Sequence, residues 1–294
     1  MIIVRLISGL GNQLFQYVVG RKLSLLHGVP LKVDVTFYET QTLRHYKLSH
    51  YPVQAEIATP REISTVLRND KSIGSWWYHT TSRFLPARKR HYQPENTWWK
   101  YQPDIFLAPP SAYLDGYWQH HAYFEHVPES IFGELLPREP LRLAVEAMAA
   151  QIRATPDAVS LHVRRGDYIS DPDANNVFGT LPVAYYHRAE EVLLAKGKKP
   201  VFFVFSDDLS WARQHLTLQG PMHFIGVTGE AGDCQELYLM SLCAHNIIAN
   251  SSYSWWGAFL NRNPGKLVIC PVKWSRVEET NARIQIQLPE WIKI

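Results

Sequence analysis

The stretch His162-Val163-Arg164-Arg165-Gly166-Asp167-Tyr168 gathers the residue types that can grip an anion. Arginine is charged at every working pH, and its planar fork suits phosphate oxygens. The preceding Val159-Ser160-Leu161 has the period-two pattern of a buried strand, so the arginines stand at a strand's end and Gly166 lets the chain turn. In a parallel α/β sheet, ligands bind beyond the carboxyl ends of the strands. Two guanidinium groups there suit a diphosphate. A solvated arginine pair is the ordinary alternative, but the strand-end position and the flanking His and Asp favour binding. His162 on its own reads as a satisfied core histidine.

The second half of the chain has a β-α rhythm that must position these groups. Strands are expected at 158–163, 201–205, 223–227, 246–249 and 267–271, with helices at 182–196, after 208, 233–244 and 253–261. Phe202, Phe203, Val204 and Phe205 form a continuous apolar run, the mark of a strand buried on both faces. Three strand ends then share one edge, carrying Arg164 with Arg165, Asp207 with Asp208, and Ser251 with Ser252 before Tyr253. A carboxylate such as Asp208 can accept two N–H bonds from a guanine edge. Serine hydroxyls at a helix N-terminus suit phosphate oxygens. Asp and Ser at strand ends are also ordinary helix caps; it is their conjunction with the arginines that describes a nucleotide-sugar site.

The first half opens with a strand, Ile2 to Leu6, followed by Ser8-Gly9-Leu10-Gly11-Asn12-Gln13-Leu14-Phe15-Gln16-Tyr17. A strand, a glycine turn and an apolar-periodic helix form a βα unit whose backbone amides can approach an anion. It matches a dinucleotide fingerprint only in part, since the third glycine is missing. The helix should run to about Leu26, with Gly28 beyond its end and a second strand at 31–35. Thr59-Pro60-Arg61-Glu62 is a helix start with Thr59 as cap. Residues 71–110 read as long aromatic loops with short elements, 112–116 as a strand followed by helix through Phe124, and 141–152 as an amphipathic helix. Thr155-Pro156-Asp157 marks the boundary between expected domains 1–155 and 156–294. The fold class is α/β, with two Rossmann-like domains.

The 294 residues are ample for two domains, and a net charge of +3 argues against a nucleic-acid partner. Ten Trp and fifteen Tyr are many, with pairs at Trp76-Trp77, Trp98-Trp99 and Trp255-Trp256. The last reads as core packing; the first two, in loop-like surroundings, serve equally as sugar platforms. Cys234, Cys243 and Cys270 have no metal-type spacing and read as reduced, buried thiols. No segment reaches the roughly eighteen apolar residues of a membrane span. The expected location is cytoplasmic, with peripheral membrane contact through Arg83 and Arg88-Lys89-Arg90 as a variant; a solvated loop is the plainer reading of that run.

The chain resembles the α-1,2-fucosyltransferases, which are related to the α-1,6- and protein O-fucosyltransferases. The resemblance rests on Gly9 to Tyr17, His162 to Tyr168, Phe205-Ser206-Asp207-Asp208 with Trp211, Asn250-Ser251-Ser252-Tyr253-Ser254-Trp255-Trp256-Gly257, and the tail Leu288-Pro289-Glu290-Trp291-Ile292. These motifs span nearly the whole chain in order. Ser8 stands where the pattern has Gly, which would suit a position of negative φ. The resemblance implies an inverting, metal-independent transferase of the GT-B type, two Rossmann-like domains facing a cleft, with GDP-β-L-fucose as donor and the 2-hydroxyl of a terminal galactoside as acceptor. It implies a donor-binding second domain, in which Arg164 meets the β-phosphate, Asp208 the guanine, His162 the surroundings of the nucleotide, and Ser251 and Ser252 the phosphates. Gly11, Asn12, Arg165, Asp207 and Tyr253 complete the expected donor set, with Asn12 reaching in from the first domain.

This fits the chemistry of departure, in which negative charge grows on the GDP β-phosphate and a preorganised cation counts most. Arg164, Asn12 and Asp167 are therefore the expected catalytic residues. Asp167 reads more readily as an orienting partner of Arg164 or Arg165 than as the base, and Glu230 and His162 are weaker candidates. Transfer of the proton to a phosphate oxygen would need no dedicated carboxylate. Asp171-Pro172-Asp173 spells a metal-binding Asp-x-Asp but lacks a preceding apolar strand and reads as a loop, so no metal or other cofactor is expected. Two rival readings stand: a GT-B transferase with another nucleotide sugar or a protein acceptor, and a non-catalytic glycan-binding protein using the aromatic pairs and the Arg165-Gly166-Asp167 tripeptide.

Overall fold

The computed structural model describes residues 1–68, 84–138 and 142–294, and residue 167 by its backbone only. Trp76-Trp77 and Arg83 therefore lie outside the described residues. The chain divides into two compact units, Met1–Leu136 and Pro137–Ile294.

The first unit holds a five-stranded parallel sheet of β1 (Ile2–Arg5), β2 (Leu31–Asp34), β3 (Glu56–Ile57), β4 (Tyr92–Pro94) and β5 (Ala112–Asp115), in the order β3-β2-β1-β5-β4. The helix Leu10–His27 returns the chain from β1 to β2 and ends at Gly28, whose φ of +61° suits the left-handed cap that glycine adopts without strain. Thr59 caps the helix Pro60–Leu67 in a full capping box with Glu62. After β5 the expected helix shrinks to a single 3-10 turn, His121–Phe124. Trp118, at φ +57°, turns the chain left-handed and breaks any regular helix there.

The second unit holds a six-stranded parallel sheet of β6 (Ala158–Val163), β7 (Val201–Ser206), β8 (Met222–Ile225), β9 (His245–Ile247), β10 (Val268–Cys270) and β11 (Ile292–Lys293), in the order β11-β10-β9-β6-β7-β8. This is the doubly wound order, with its reversal between β6 and β9. The sixth strand comes from the familial tail. Every residue of β6 is buried, as a strand covered on both faces must be. Val159, Leu161 and Val163 pack on one side with Phe202 and Val204, while Ala158 packs on the other with Phe203 and Phe205.

Two expectations shift. The helix Leu143–Ala154 was assigned to the first domain, but Val145, Ala149 and Ile152 share a core with Phe203, Phe205, Ile225 and Leu239. Its apolar stripe thus joins it to the second unit, and the division falls at 136/137 rather than 155/156. The Asp171-Pro172-Asp173 stretch is no loop: Pro172–Val177 is a short helix capped by Asp171, whose Oδ1 accepts from the amides of Asp173 and Ala174. Among the described residues, no helix is long and apolar enough to cross a membrane.

Candidate active site

In the second unit the loops leaving β9, β6 and β7 are neighbours, because those strands are adjacent in the sheet. Register pairs Val163 with Ser206, so the arginines after β6 meet the carboxylates after β7. Arg164 bonds Asp207 at 2.9 Å, and Arg165 bonds Asp208 at 3.3 Å. Asp207 also accepts the Arg165 amide at 2.8 Å. A Cβ on Gly166 would come within 2.6 Å of Asp207 Oδ2, so any side chain there would displace the carboxylate that holds Arg164. The orienting carboxylates seen for the two arginines are thus Asp207 and Asp208. Asp167, the orienting partner expected from the sequence, is described by its backbone only.

Arg165 is held on two sides. Its guanidinium lies 3.9 Å over the Trp211 ring, which stacks on His215. A desolvated cation over indole gains roughly 1–2 kcal/mol. Asp208 caps the helix Leu209–His215 through Oδ1, which accepts from the Trp211 amide at 3.0 Å. That amide, and then Arg165, hold the Asp208 carboxyl below its ordinary range. Both oxygens of Asp208 therefore already have a protein partner, and only second lone pairs remain for a ligand.

Arg164 lies 5.5 Å over the Tyr168 ring, and the Tyr168 hydroxyl donates to the Asn250 carbonyl at 2.9 Å. This bond spans the two loops that flank the strand-order reversal, where an open α/β sheet binds its ligand. The Asn250 side-chain amide donates to the carbonyls of Phe178, Gly179 and Trp274, tying two further segments to the loop. Ser251 caps the helix Ser252–Leu260, accepting from the Tyr253 amide. The Tyr253 hydroxyl donates to the Asp233 carbonyl. Trp255 and Trp256 are fully buried, the core packing expected of them.

His162 is 3% exposed, and burial pushes its pKa down to about 4. A neutral, buried imidazole packed by Tyr253 is a poor proton acceptor. His162 is buried as a core histidine would be, but its Nδ1 has no hydrogen-bond partner among the described residues, so it is not the satisfied histidine expected from the sequence.

In the first unit, Gly11 is buried in the first turn of Leu10–His27. Asn12 donates to Ser8 Oγ at 2.9 Å and accepts from Gln119 Nε2. Ser8 has φ +67°, not the negative value expected, so the position does ask for the glycine of the familial pattern. Gln16, fully buried, joins the ends of β1 and β5 by accepting from the Ile7 amide and donating to the Gly116 carbonyl. Of the tryptophan pair at 98–99, Trp98 is 56% exposed and rests edge-on against Tyr117, while Trp99 donates to Gln119.

Gln119 and Glu95 carry no mark in the sequence, and Trp211 and Tyr168 stand in the motifs without an expected task. Gln119 and Glu95 meet partners 20 to 107 residues away, so no local pattern marks them.

Residues 93–294 match glycosyl transferase family 11. Two Escherichia coli proteins align along almost the whole chain: the O-antigen biosynthesis glycosyltransferase WbnK, 30% identical over 98% of both chains, and an alpha-1,2-colitosyltransferase, 30% identical over 96% of this chain and 95% of its own. The human galactoside alpha-(1,2)-fucosyltransferase 1 is 28% identical over 55% of this chain and 46% of its own. Among solved structures, a mutant of Arabidopsis thaliana FUT1 in complex with GDP superposes with a TM-score of 0.52 at 11% identity, covering 91% of this chain and 69% of that one. That likeness is one of fold, the GT-B type.

Proposed function

The chain belongs to glycosyl transferase family 11, and from that premise we propose that it transfers L-fucose from GDP-β-L-fucose to the 2-hydroxyl of a terminal galactoside, with inversion and without a metal. The observation that carries this reading is the pair Arg164 and Arg165, fixed by Asp207, Asp208 and Trp211 at the strand-order reversal of the second sheet. A cation held there before the reaction suits a β-phosphate that gains charge as the bond to fucose breaks. The sugar carbon loses its bond to the phosphate oxygen and gains one to the acceptor oxygen on the opposite face. The hydroxyl proton leaves to a weak base or to a phosphate oxygen. Asp208 keeps lone pairs for a guanine edge, the Ser252 end of its helix suits phosphate, and Asn12 serves a substrate from the first turn of the helix that follows β1.

Colitosyl transfer is the second reading, favoured by the name and near-complete coverage of one relative. Side-by-side turnover of GDP-fucose and GDP-colitose separates the two. Whichever donor is used, Arg164→Ala should lower kcat by roughly 100- to 1,000-fold, the scale of losing one transition-state donor. Near-normal kcat in that variant would remove Arg164 from the mechanism.

A further inference from the structure

The first sheet has its own reversal of strand order, between β1 and β5. The loops leaving those two strands are tied together by a relay of side chains. Trp99 Nε1 donates to Gln119 Oε1 at 3.2 Å, Gln119 Nε2 donates to Asn12 Oδ1, and Asn12 Nδ2 donates to Ser8 Oγ. An indole N–H can only donate. It therefore sets the direction of the whole relay. Gln119 must turn its oxygen to Trp99 and its amino group to Asn12, and Asn12 must turn its oxygen to Gln119 and its amino group to Ser8.

The ends of the relay are unusual in the same way. Ser8 and Trp99 both have left-handed backbone, at φ +67° and +63°. Non-glycine residues persist there when their surroundings over-determine them, and such positions gather at functional sites. Gln119 is 8% exposed, so water does not readily replace its partners. After its two bonds, Asn12 retains one N–H and one oxygen lone pair by the arithmetic of its amide.

We propose that Gln119 is a positioning residue for Asn12: it decides which end of the Asn12 amide a substrate meets, with Trp99 and Ser8 as the fixed ends of the relay. This rests on the transferase reading, in which Asn12 touches a substrate.

Gln119→Glu has the same length but, when ionised, cannot donate, so Asn12 must turn its amide round to keep the contact. The test is a double-mutant cycle with Asn12→Ala, following GDP release from GDP-fucose with lactose as acceptor. Gln119→Glu should lower kcat by roughly 10- to 100-fold, as for a small misplacement of a reacting partner, while the donor KM changes by less than about 2-fold. In the Asn12→Ala background the same change should cost under about 2-fold. Gln119→Met, which removes both bonds, should show the same pattern and keeps the test open where a buried carboxylate unfolds the protein. Equal losses in both backgrounds, or no loss with native Asn12, would overturn the proposal. Normal turnover by Asn12→Ala would instead overturn the reading of Asn12 as a substrate contact. The Asn12 side-chain amide resonances in 15N-asparagine-labelled protein report independently of turnover: they should move in Gln119→Glu, and unmoved resonances would overturn the relay.

Discussion

Ser8 carries a strain that its neighbours must offset. A non-glycine residue in left-handed backbone costs roughly 1–2 kcal/mol, and Ser8 recovers part of this as the acceptor of the Asn12 amide. Ser8→Gly should therefore be more stable in denaturant unfolding than Ser8→Ala by about 1 kcal/mol, because only alanine keeps the strain after the bond is lost. Equal stability of the two variants would contradict the left-handed conformation. The arginine pair shows the limit of reading along the chain. Its residue types and strand-end position were legible in the sequence, as was the convergence with Asp207 and Asp208. Which carboxylate orients which arginine was not, since Asp207 and Asp208 lie 42 and 43 residues beyond Arg165 and reach it only through the register of β6 and β7.

The loops of the first unit are organised by one buried carboxylate. Glu95, just past β4, accepts from the amides of Tyr117 and Trp118, and Trp118 is itself left-handed. Burial pushes the Glu95 pKa up, with the amides of Trp118, Tyr117 and Trp99 acting against that rise. Gly116 has no room for a side chain, since a Cβ would fall 2.4 Å from Glu95 Cβ. Glu95→Ala should cost roughly 2–4 kcal/mol in unfolding free energy, because it leaves the amides of Tyr117, Trp118 and Trp99 without their carboxylate acceptor. A change under 0.5 kcal/mol would mean that water replaces the carboxylate. Elements with capping signals and strong periodicity, such as Pro60–Leu67 and five of the six strands of the second sheet, were legible because their causes are local. The aromatic loops were not. Their conformation depends on Glu95, Gln119 and Gln16, which gather segments far apart in sequence.

Among the described residues the strands form two parallel sheets, each with a reversal of strand order. The second unit carries two buried groups that respond to pH in opposite directions. Burial raises Glu236 to about 7 from an ordinary value of 4.5. Its contribution to stability is thus complete below about pH 4.5 and is lost as pH rises to about 7. His162, lowered to about 4, contributes fully above its ordinary value of 6.5 and loses that contribution as pH falls towards 4. Denaturant unfolding across this range should show a flatter upward-pH loss in Glu236→Gln and a flatter acid loss in His162→Asn; unchanged slopes would contradict the burial of these groups. The most direct test of the catalytic claim is GDP release from GDP-fucose in EDTA, with and without lactose, followed by linkage analysis of the product. Release that depends on lactose, persists in EDTA and yields an α-1,2 linkage is the predicted result. Binding of GDP with no lactose-dependent release, or release abolished by EDTA, would contradict metal-independent galactoside fucosylation.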